Sequence, residues 1–420
     1  MKRFRNKNSY KPFLISSFFS RFGEWMDFTV LNWVILEATK SPAAIGVLNA
    51  CRLIPIFLFS LLGGILSDRY SNKKILQWSQ IGLSLLTATF IFIYNAHFSF
   101  FLLVVIVFLR SVILAVETPV RNTFIASLTE KKQLASAISM HTSIIHISRL
   151  IGPALAGFLL VSVHENVLFI IYIVLLLLSA VCLIRLPEGI GQKKTKTAKK
   201  SSMKEVFSFI KQDRPLQGLL FLSIVPMLFG FPYSSLLPIF VQQLMNLGPD
   251  QFGVMLSFSS VGAFLSTVIM SMNWIKVTAT KMIGACLLFS FMLMIFIVSS
   301  SHVLVVWCLL FFIGFFGQAY RTSNRILLQY YVPDEMRGRV LSIALMDRGF
   351  ISLGVLLFSF IAEWSVYGSG ILMGMCCFIF SLIIFVLNRD AFAGLSKGEE
   401  DDTRGEVIRR RHHFKIEKTT

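Results

Sequence analysis

Gly63-Gly64-Ile65-Leu66-Ser67-Asp68-Arg69-Tyr70-Ser71-Asn72-Lys73-Lys74 is a charged turn set between two long apolar segments, 43–66 and 74–95. Each flanking segment has the ~20 mostly apolar residues that a helix needs to cross a bilayer. The same alternation of apolar run and short polar break covers most of the chain. Twelve runs can be drawn, at 12–36, 43–66, 74–95, 98–118, 137–161, 166–186, 216–242, 251–273, 280–300, 302–321, 340–361 and 367–388. Ser41-Pro42, Asn95-Ala96-His97 and Leu247-Gly248-Pro249-Asp250 mark breaks between them. Of the 420 residues, 55% are hydrophobic and 15% charged, against about 25% charged in soluble domains. Such a composition cannot cover a water-facing surface. It predicts an all-α polytopic membrane protein with twelve transmembrane helices.

The formal net charge of +18 suggests nucleic acid until its placement is considered. Lys and Arg cluster in alternate connections: Arg69/Lys73/Lys74, Arg121/Lys131/Lys132, Lys276/Lys281 and Arg321/Arg325/Arg337/Arg339. The central loop and the tail are basic as well, with Arg409, Arg410 and Arg411 in the latter. The other set of connections holds Lys40 and little else. Basic loops stay on the cytoplasmic side, so both termini are expected there, in a multi-pass protein of the cell membrane. The charge then anchors topology, no nucleic acid is expected as a partner, and the tail is suited to anionic lipid headgroups. The polybasic start, Met1 to Lys11, precedes a long apolar run without a small-residue cleavage site, which reads as a retained first helix. The six cysteines lie in apolar runs without metal-ligand spacing and read as small hydrophobes.

Five segments are expected: a basic N-terminus at 1–11, a six-helix bundle at 12–186, a basic linker at 187–215, a second six-helix bundle at 216–388 and a charged tail at 389–420. The halves echo each other. Ser41-Pro42-Ala43-Ala44-Ile45-Gly46 answers Gly248-Pro249-Asp250-Gln251-Phe252-Gly253, and Gly152 answers Gly354. Such weak internal symmetry is expected of a duplicated transporter.

The turn itself offers a latch. Asp68 at the mouth of the second span can accept hydrogen bonds from the N-terminus of a neighbouring helix, where the dipole favours an anion. The eleventh span begins on the same side and is the candidate partner. Gly64 belongs to a glycine pair that lets a neighbouring helix approach, while Arg69, Lys73 and Lys74 hold the turn on the basic side. With these residues the turn resembles the signature loop of the major facilitator superfamily, Gly-x-x-x-Asp-Arg-x-Gly-Arg-Arg. Ser71 replaces its glycine and Asn72 a basic position. The second-half counterpart, Met272 to Lys281, lacks the acid, so the latch is expected on one side only. Further stretches are similar to the branch of macrolide-efflux proteins and the enterobactin exporter: Ser20-Arg21-Phe22-Gly23-Glu24-Trp25, Leu53-Ile54-Pro55, Pro119 with Asn122, Leu150 to Gly157, and Pro333 to Val340. The resemblance covers residues 10 to 390 and implies two pseudo-symmetric six-helix bundles around a central cavity, alternating access and export.

The fifth span carries Ser148, Gly152 and Ala156 at four-residue intervals, a narrow seam for a partner helix, with Pro153 and Gly157 beside it. It resembles the antiporter motif Gly-x-x-x-Gly-Pro-x-x-Gly-Gly, which in that family accompanies export. Ionisable groups at membrane depth are costly and mark function by default. The first span carries Arg21, Glu24 and Asp27, and the fourth carries Arg110 and Glu117. Arg110 is expected to pair with Glu24 or Asp27, although Arg21 can satisfy Glu24 at i,i+3. Asp27 is therefore the first choice for a carboxylate whose protonation breaks a pair and shifts the conformational balance. Asp347-Arg348 is a candidate gate pair. His141 and His146 read as packing residues. Arg149 has no evident partner in the sequence.

No metal, nucleotide or nucleophile motif is present, so no cofactor and no enzymatic activity are expected, and ATP is not expected to drive the cycle directly. The reading is a monomeric secondary transporter that exports a small amphipathic molecule, a macrolide-like drug or a siderophore, in exchange for protons. A lipid or lysophospholipid flippase and an uptake carrier for a polar nutrient are the alternatives on the same scaffold.

Overall fold

The computed structural model describes residues 10–129, 133–186, 208, 210–272, 277–332, 340, 347–389 and 392. Among them every regular element is helical. The central loop lysines, the tail arginines, Lys131, Lys132, Arg337, Arg339 and most of the Pro333–Val340 stretch lie outside the described residues.

Six helices come first: α1 Lys11–Thr39, α2 Pro42–Arg69, α3 Asn72–Ala96, α4 Phe100–Leu128, α5 Leu134–Ser162 and α6 Glu165–Ile184. Then follow α7 Arg214–Phe229 and α8 Tyr233–Ile239, the latter running into a π-helical turn, Phe240–Leu244. The remaining five are α9 Pro249–Ser271, α10 Ala279–Val298, α11 Val303–Tyr331, α12 Asp347–Trp364 and α13 Val366–Leu387. Ten stretches among the described residues are long and apolar enough to cross a membrane, with Arg214–Leu244 counted as one. To these add α1, whose middle carries Arg21, Glu24 and Asp27, and the shorter α12.

Local chemistry sets the helix ends. Lys40 adopts φ 52° and its N–H donates to the Leu36 carbonyl, closing α1. Ser41 then caps α2 by accepting from the Ala44 N–H, with Pro42 in the first turn. At the opening quoted turn, Ser67 donates to Asn72 Oδ1 at 2.8 Å. Lys73 Nζ donates to the carbonyls of Ile184 and Leu186 at 2.7 Å each. A cation thus sits where the C-terminal dipole of α6 favours one.

Three boundaries differ from the sequence reading. α4 runs to Leu128 and α11 to Tyr331, each about three turns beyond the expected end. Their last turns bury Arg121, Phe124 and Leu128 in α4, and Ser323, Asn324 and Leu328 in α11, so polar residues there line a packed face and do not end the helix. The seventh span breaks at Gly230-Phe231-Pro232. The N–H groups of Gly230 and Phe231 both turn back to the Pro226 carbonyl at 2.8 Å, and Pro232 has no N–H to continue the ladder.

The chain divides into two compact units. The first holds α1–α6 together with Ser234–Ser260 and Val355–Tyr367; the second holds the rest of the C-terminal half. In the first unit α1 packs on α5 and α6, α2 on α4, and α3 on α4 and α6. In lipid such contacts depend on close fit, and glycine supplies it. A Cβ on Gly63 would meet Pro119 and the Val116 backbone of α4. Gly64 has open space around it, so the close approach expected of this pair belongs to Gly63. Gly157 of α5 lies against the backbone of Pro249, Asp250 and Gly253 in α9. Gly157→Val should therefore destabilise the protein by about 1–3 kcal/mol, the usual cost of overpacking. The check is a melting curve in detergent, and an unshifted transition would show that this contact yields easily.

In the second unit α7, α10 and α11 enclose Leu219, Leu222, Met282, Ile283 and Tyr320. Tyr320 donates its hydroxyl to the Leu222 carbonyl. Asn324 Nδ2 donates to Ser223 Oγ at 2.5 Å.

Candidate functional site

The ionic residues of the first unit meet on the buried faces of α1 and α4. Arg110 Nη2 donates to Asp27 Oδ2 at 2.5 Å. The side chains are 5% and 4% exposed, so the pair is withdrawn from bulk water. The guanidinium lies 5.2 Å from the ring centroid of Tyr172, and Tyr172, on α6, packs against the bare backbone of Gly23. Asp27 Oδ1 is buried without a protein hydrogen-bond partner. One oxygen of this carboxylate is thus tied to a cation while the other is left vacant, a position that a proton can occupy.

Glu24 pairs differently. Arg21 Nη1 donates to Glu24 Oε2 at 2.5 Å, the i,i+3 solution that the spacing allowed. Arg21 also reaches Glu117, Nη2 to Oε1, at 3.4 Å. Glu117 is fully buried. Its Oε1 further accepts from Arg121 Nε at 2.5 Å and from Ser20 at 3.2 Å. Arg121 in turn donates to Ser17 at 3.2 Å and to Ser179 at 3.5 Å. A second ionic cluster therefore joins α1, α4 and α6 on the basic-turn side of the Asp27–Arg110 pair.

Arg121 corrects the sequence reading, which placed it in a basic loop. It is wholly buried in α4, one turn beyond Glu117. The i,i+4 relation to an acid was the available signal. Arg52 of α2 was also missed. It is a lone charge in an apolar run, and its guanidinium lies 4.6 Å from the Phe28 ring centroid. Arg149, which had no evident partner, lies 5.3 Å from the Trp25 ring centroid.

The α5 motif forms the buried seam of its helix. His141, Ser148, Gly152, Pro153, Ala156 and Gly157 are its buried residues, together with Ala137. A Cβ on Gly152 would stand 3.0 Å from Trp25 Cβ and 3.4 Å from the Met26 nitrogen, so this seam sets how close α5 comes to the ionic stretch of α1. The His141 ring lies 5.5 Å from that of Phe13. His146 is half-buried.

Around the candidate latch, Asp68 lies in the last turn of α2 with Arg69 exposed beside it, and Lys74 is exposed in the first turn of α3. The Asp68 side chain and residues 341–346, where its expected partner helix begins, lie outside the described residues. Asp347 and Arg348 open α12, and their side chains lie outside them too. At the opposite end of α2 the structure adds a contact that the sequence did not suggest. Glu363, near the end of α12, accepts from the Ser41 hydroxyl and from the Ala43 N–H, the latter at 2.8 Å. An acid thus sits on the N-terminus of α2.

Among the described residues no group of His, Cys, Asp and Glu could hold a metal ion. All six cysteines are free thiols.

Comparison with known proteins agrees with this architecture. The chain is 28% identical to the staphyloferrin A transporter of Staphylococcus aureus over 384 residues, 90% of this chain and 96% of that protein. It is 25% identical to macrolide efflux protein A of Streptococcus pyogenes over 327 residues, 74% of this chain and 78% of that protein. A bacterial homologue of the human lysosomal transporter Spinster, solved inward-facing and unoccupied, superposes with a TM-score of 0.71 at 15% identity, covering 94% of this chain and 99% of that one. Residues 13–352 match the sequence profile of the Major Facilitator Superfamily. With that match and its helical architecture, the chain belongs to the Major Facilitator Superfamily, a family of multi-pass membrane transporters.

Proposed function

We propose that this protein is a proton-coupled exporter of small amphipathic molecules that works by alternating access, with Asp27 as the coupling carboxylate. The observation that carries the reading is the buried Asp27–Arg110 pair with its vacant Oδ1. Protonation at that oxygen removes the charge that holds Arg110, so the pair has two states of different strength. An equilibrium shifts only when a ligand distinguishes its states, and here the proton does so. Glu117 is less suited to the role. Three donors converge on its Oε1, and hydrogen bonds to the ionised form resist protonation. Glu24 is held by Arg21 in the same way.

Export is supported by the α5 seam and its likeness to the antiporter motif, and by relatives named for staphyloferrin A transport and macrolide efflux. In this reading the six-helix bundles at 12–186 and 216–388 rock about the cavity, and both termini face the cytoplasm of the cell membrane. Asp68 latches the cytoplasmic side and opens as the halves move, while the Glu363 cap on α2 serves the opposite side. The protein works as a monomer.

The test is a substrate-panel efflux assay in a pump-deficient bacterial host, with and without a protonophore. Accumulation of a panel member should fall when the protein is expressed and rise again when the proton gradient is collapsed. Efflux that survives the protonophore would remove the coupling. Inward flux down the same gradient would remove the direction.

A further inference from the structure

Several arginines lie in the spans without a matching number of acids. In the first unit Arg21, Arg52, Arg110, Arg121 and Arg149 stand against Glu24, Asp27 and Glu117. Arg21, Arg110 and Arg121 are tied to those carboxylates. Arg52 and Arg149 lie over the faces of Phe28 and Trp25 instead, and Arg52 Nη1 is buried without a hydrogen-bond partner among the described residues. Arg52 is also partly exposed near the middle of α2. A guanidinium at that depth facing lipid would cost several kcal/mol, roughly 2.5 or more, so its open side faces water.

The second unit shows the same imbalance independently. Its helices α7, α10, α11 and α13 carry no Asp or Glu. Yet α11 brings Arg321 and Arg325 to a cavity of about 290 Å³, lined also by Gln318 and Thr322. Gln318 Nε2 donates to Thr322 Oγ1 at 3.1 Å, and the Arg321 guanidinium lies 5.5 Å from the Phe231 ring centroid. The wall thus combines two cations one helical turn apart, an amide, a hydroxyl and an aromatic face.

We infer that the transported molecule is an amphipathic anion, and that the Arg321/Arg325 cavity binds its carboxylate or phosphate group, with Arg52 a second anion contact in the other unit. The inference rests on the exporter reading and narrows its substrate class. Guanidinium groups match carboxylate and phosphate oxygens with paired, charge-assisted hydrogen bonds. An anion entering either place supplies the negative charge that the helices lack, whereas a cationic drug would add to the excess. The aromatic rings beside Arg52 and Arg321 suit the apolar part of the same molecule.

The experiment uses the full chain in neutral detergent with two dyes that share a ring system, carboxyfluorescein as the anion and rhodamine 6G as the cation. Fluorescence anisotropy should show the anion bound more tightly, with an affinity that falls as salt rises. Arg321→Gln/Arg325→Gln should weaken carboxyfluorescein at least tenfold, Arg52→Gln should weaken it as well, and Lys281→Gln should not. Equal or tighter binding of rhodamine 6G, or no binding of carboxyfluorescein, overturns the inference on the unaltered protein alone, whether or not the variants fold. Phosphatidylglycerol is then added and proteoliposome uptake of the dye measured. Displacement by this lipid without dye transport would assign the cavity to a headgroup and overturn the substrate claim. Protonophore-sensitive export of a neutral macrolide that persists while the anion dye fails would leave the exporter reading standing. Anion binding intact with no gradient-driven flux of any probe would remove the exporter reading instead.

Discussion

Asp27→Asn should abolish gradient-driven efflux while leaving substrate exchange across the membrane measurable. The substitution keeps the shape of the side chain and removes both its charge and its capacity to gain and lose a proton. Arg110 then meets a permanently neutral partner, and the difference between the two states of the pair disappears. Uphill transport should drop at least 100-fold, about 2.7 kcal/mol at the 1.4 kcal/mol per decade that relates free energy to a ratio. The variant also leaves Arg110 buried beside an amide, and breaking a buried pair is destabilising by about 3–5 kcal/mol. Stability and coupling must therefore be separated. Asp27→Asn/Arg110→Gln removes both charges together, so it should recover much of the melting temperature and none of the coupling. The measurements are counterflow in proteoliposomes and uphill efflux with an imposed pH gradient. If Asp27→Asn pumps at the normal rate, Asp27 is not the coupling group.

The route to that residue was largely open in the sequence. Acids and arginines within apolar runs are rare, and helical spacing alone separated Glu24, which Arg21 reaches at i,i+3, from Asp27, which needs a partner on another helix. Arg110 was the arginine at similar depth on the fourth span, and the two meet at 2.5 Å. Other features depended on information that a single sequence does not hold. Gly63 and Gly64 differ by one step of about 100° around the helix, and nothing local tells which of them faces α4. Arg121 follows Pro119 at the end of an apolar run, where a basic residue is most simply read as a loop anchor. Only the packing of α4 against α1 and α6 shows that the helix continues and that the charge is interior. Arg52 could have been found by applying to the second span the rule used for the first and fourth. The break at Gly230-Phe231-Pro232 was written in its residue types but hidden by the hydropathy around it. The Glu363 cap on α2 joins residues more than 300 positions apart, a distance over which periodicity carries no signal.

The second large effect concerns Arg121 and tests whether the inner cluster is architecture or machinery. Arg121 bonds to Glu117, Ser17 and Ser179 at once, so it fastens α4 to α1 and α6 through one guanidinium. Arg121→Met fills similar volume but leaves Glu117, wholly buried, with Ser20 and the longer contact to Arg21. An acid stranded in this way should lower stability by about 3–5 kcal/mol, read as a loss of the folded fraction in detergent. Glu117→Leu/Arg121→Met removes both charges and should return close to the starting stability, because replacing a buried pair by apolar groups is often neutral or favourable by about 1–4 kcal/mol. The pair would then show a large coupling in a double-mutant cycle. Single variants that melt within about 1 kcal/mol of the parent would mean that water or Arg21 compensates the acid, and the cluster would not hold the helices as described. The transport of the double variant separates two roles. If the cluster only fastens helices, the restored protein should pump at near the normal rate with the same sensitivity to the proton gradient. If Glu117 takes part in coupling, the restored protein should be folded and uncoupled. The geometry favours the first outcome, because Glu117 has three donors on a single oxygen while Asp27 holds one oxygen vacant, and a carboxylate that must accept a proton in every cycle works against each donor that fixes its charge.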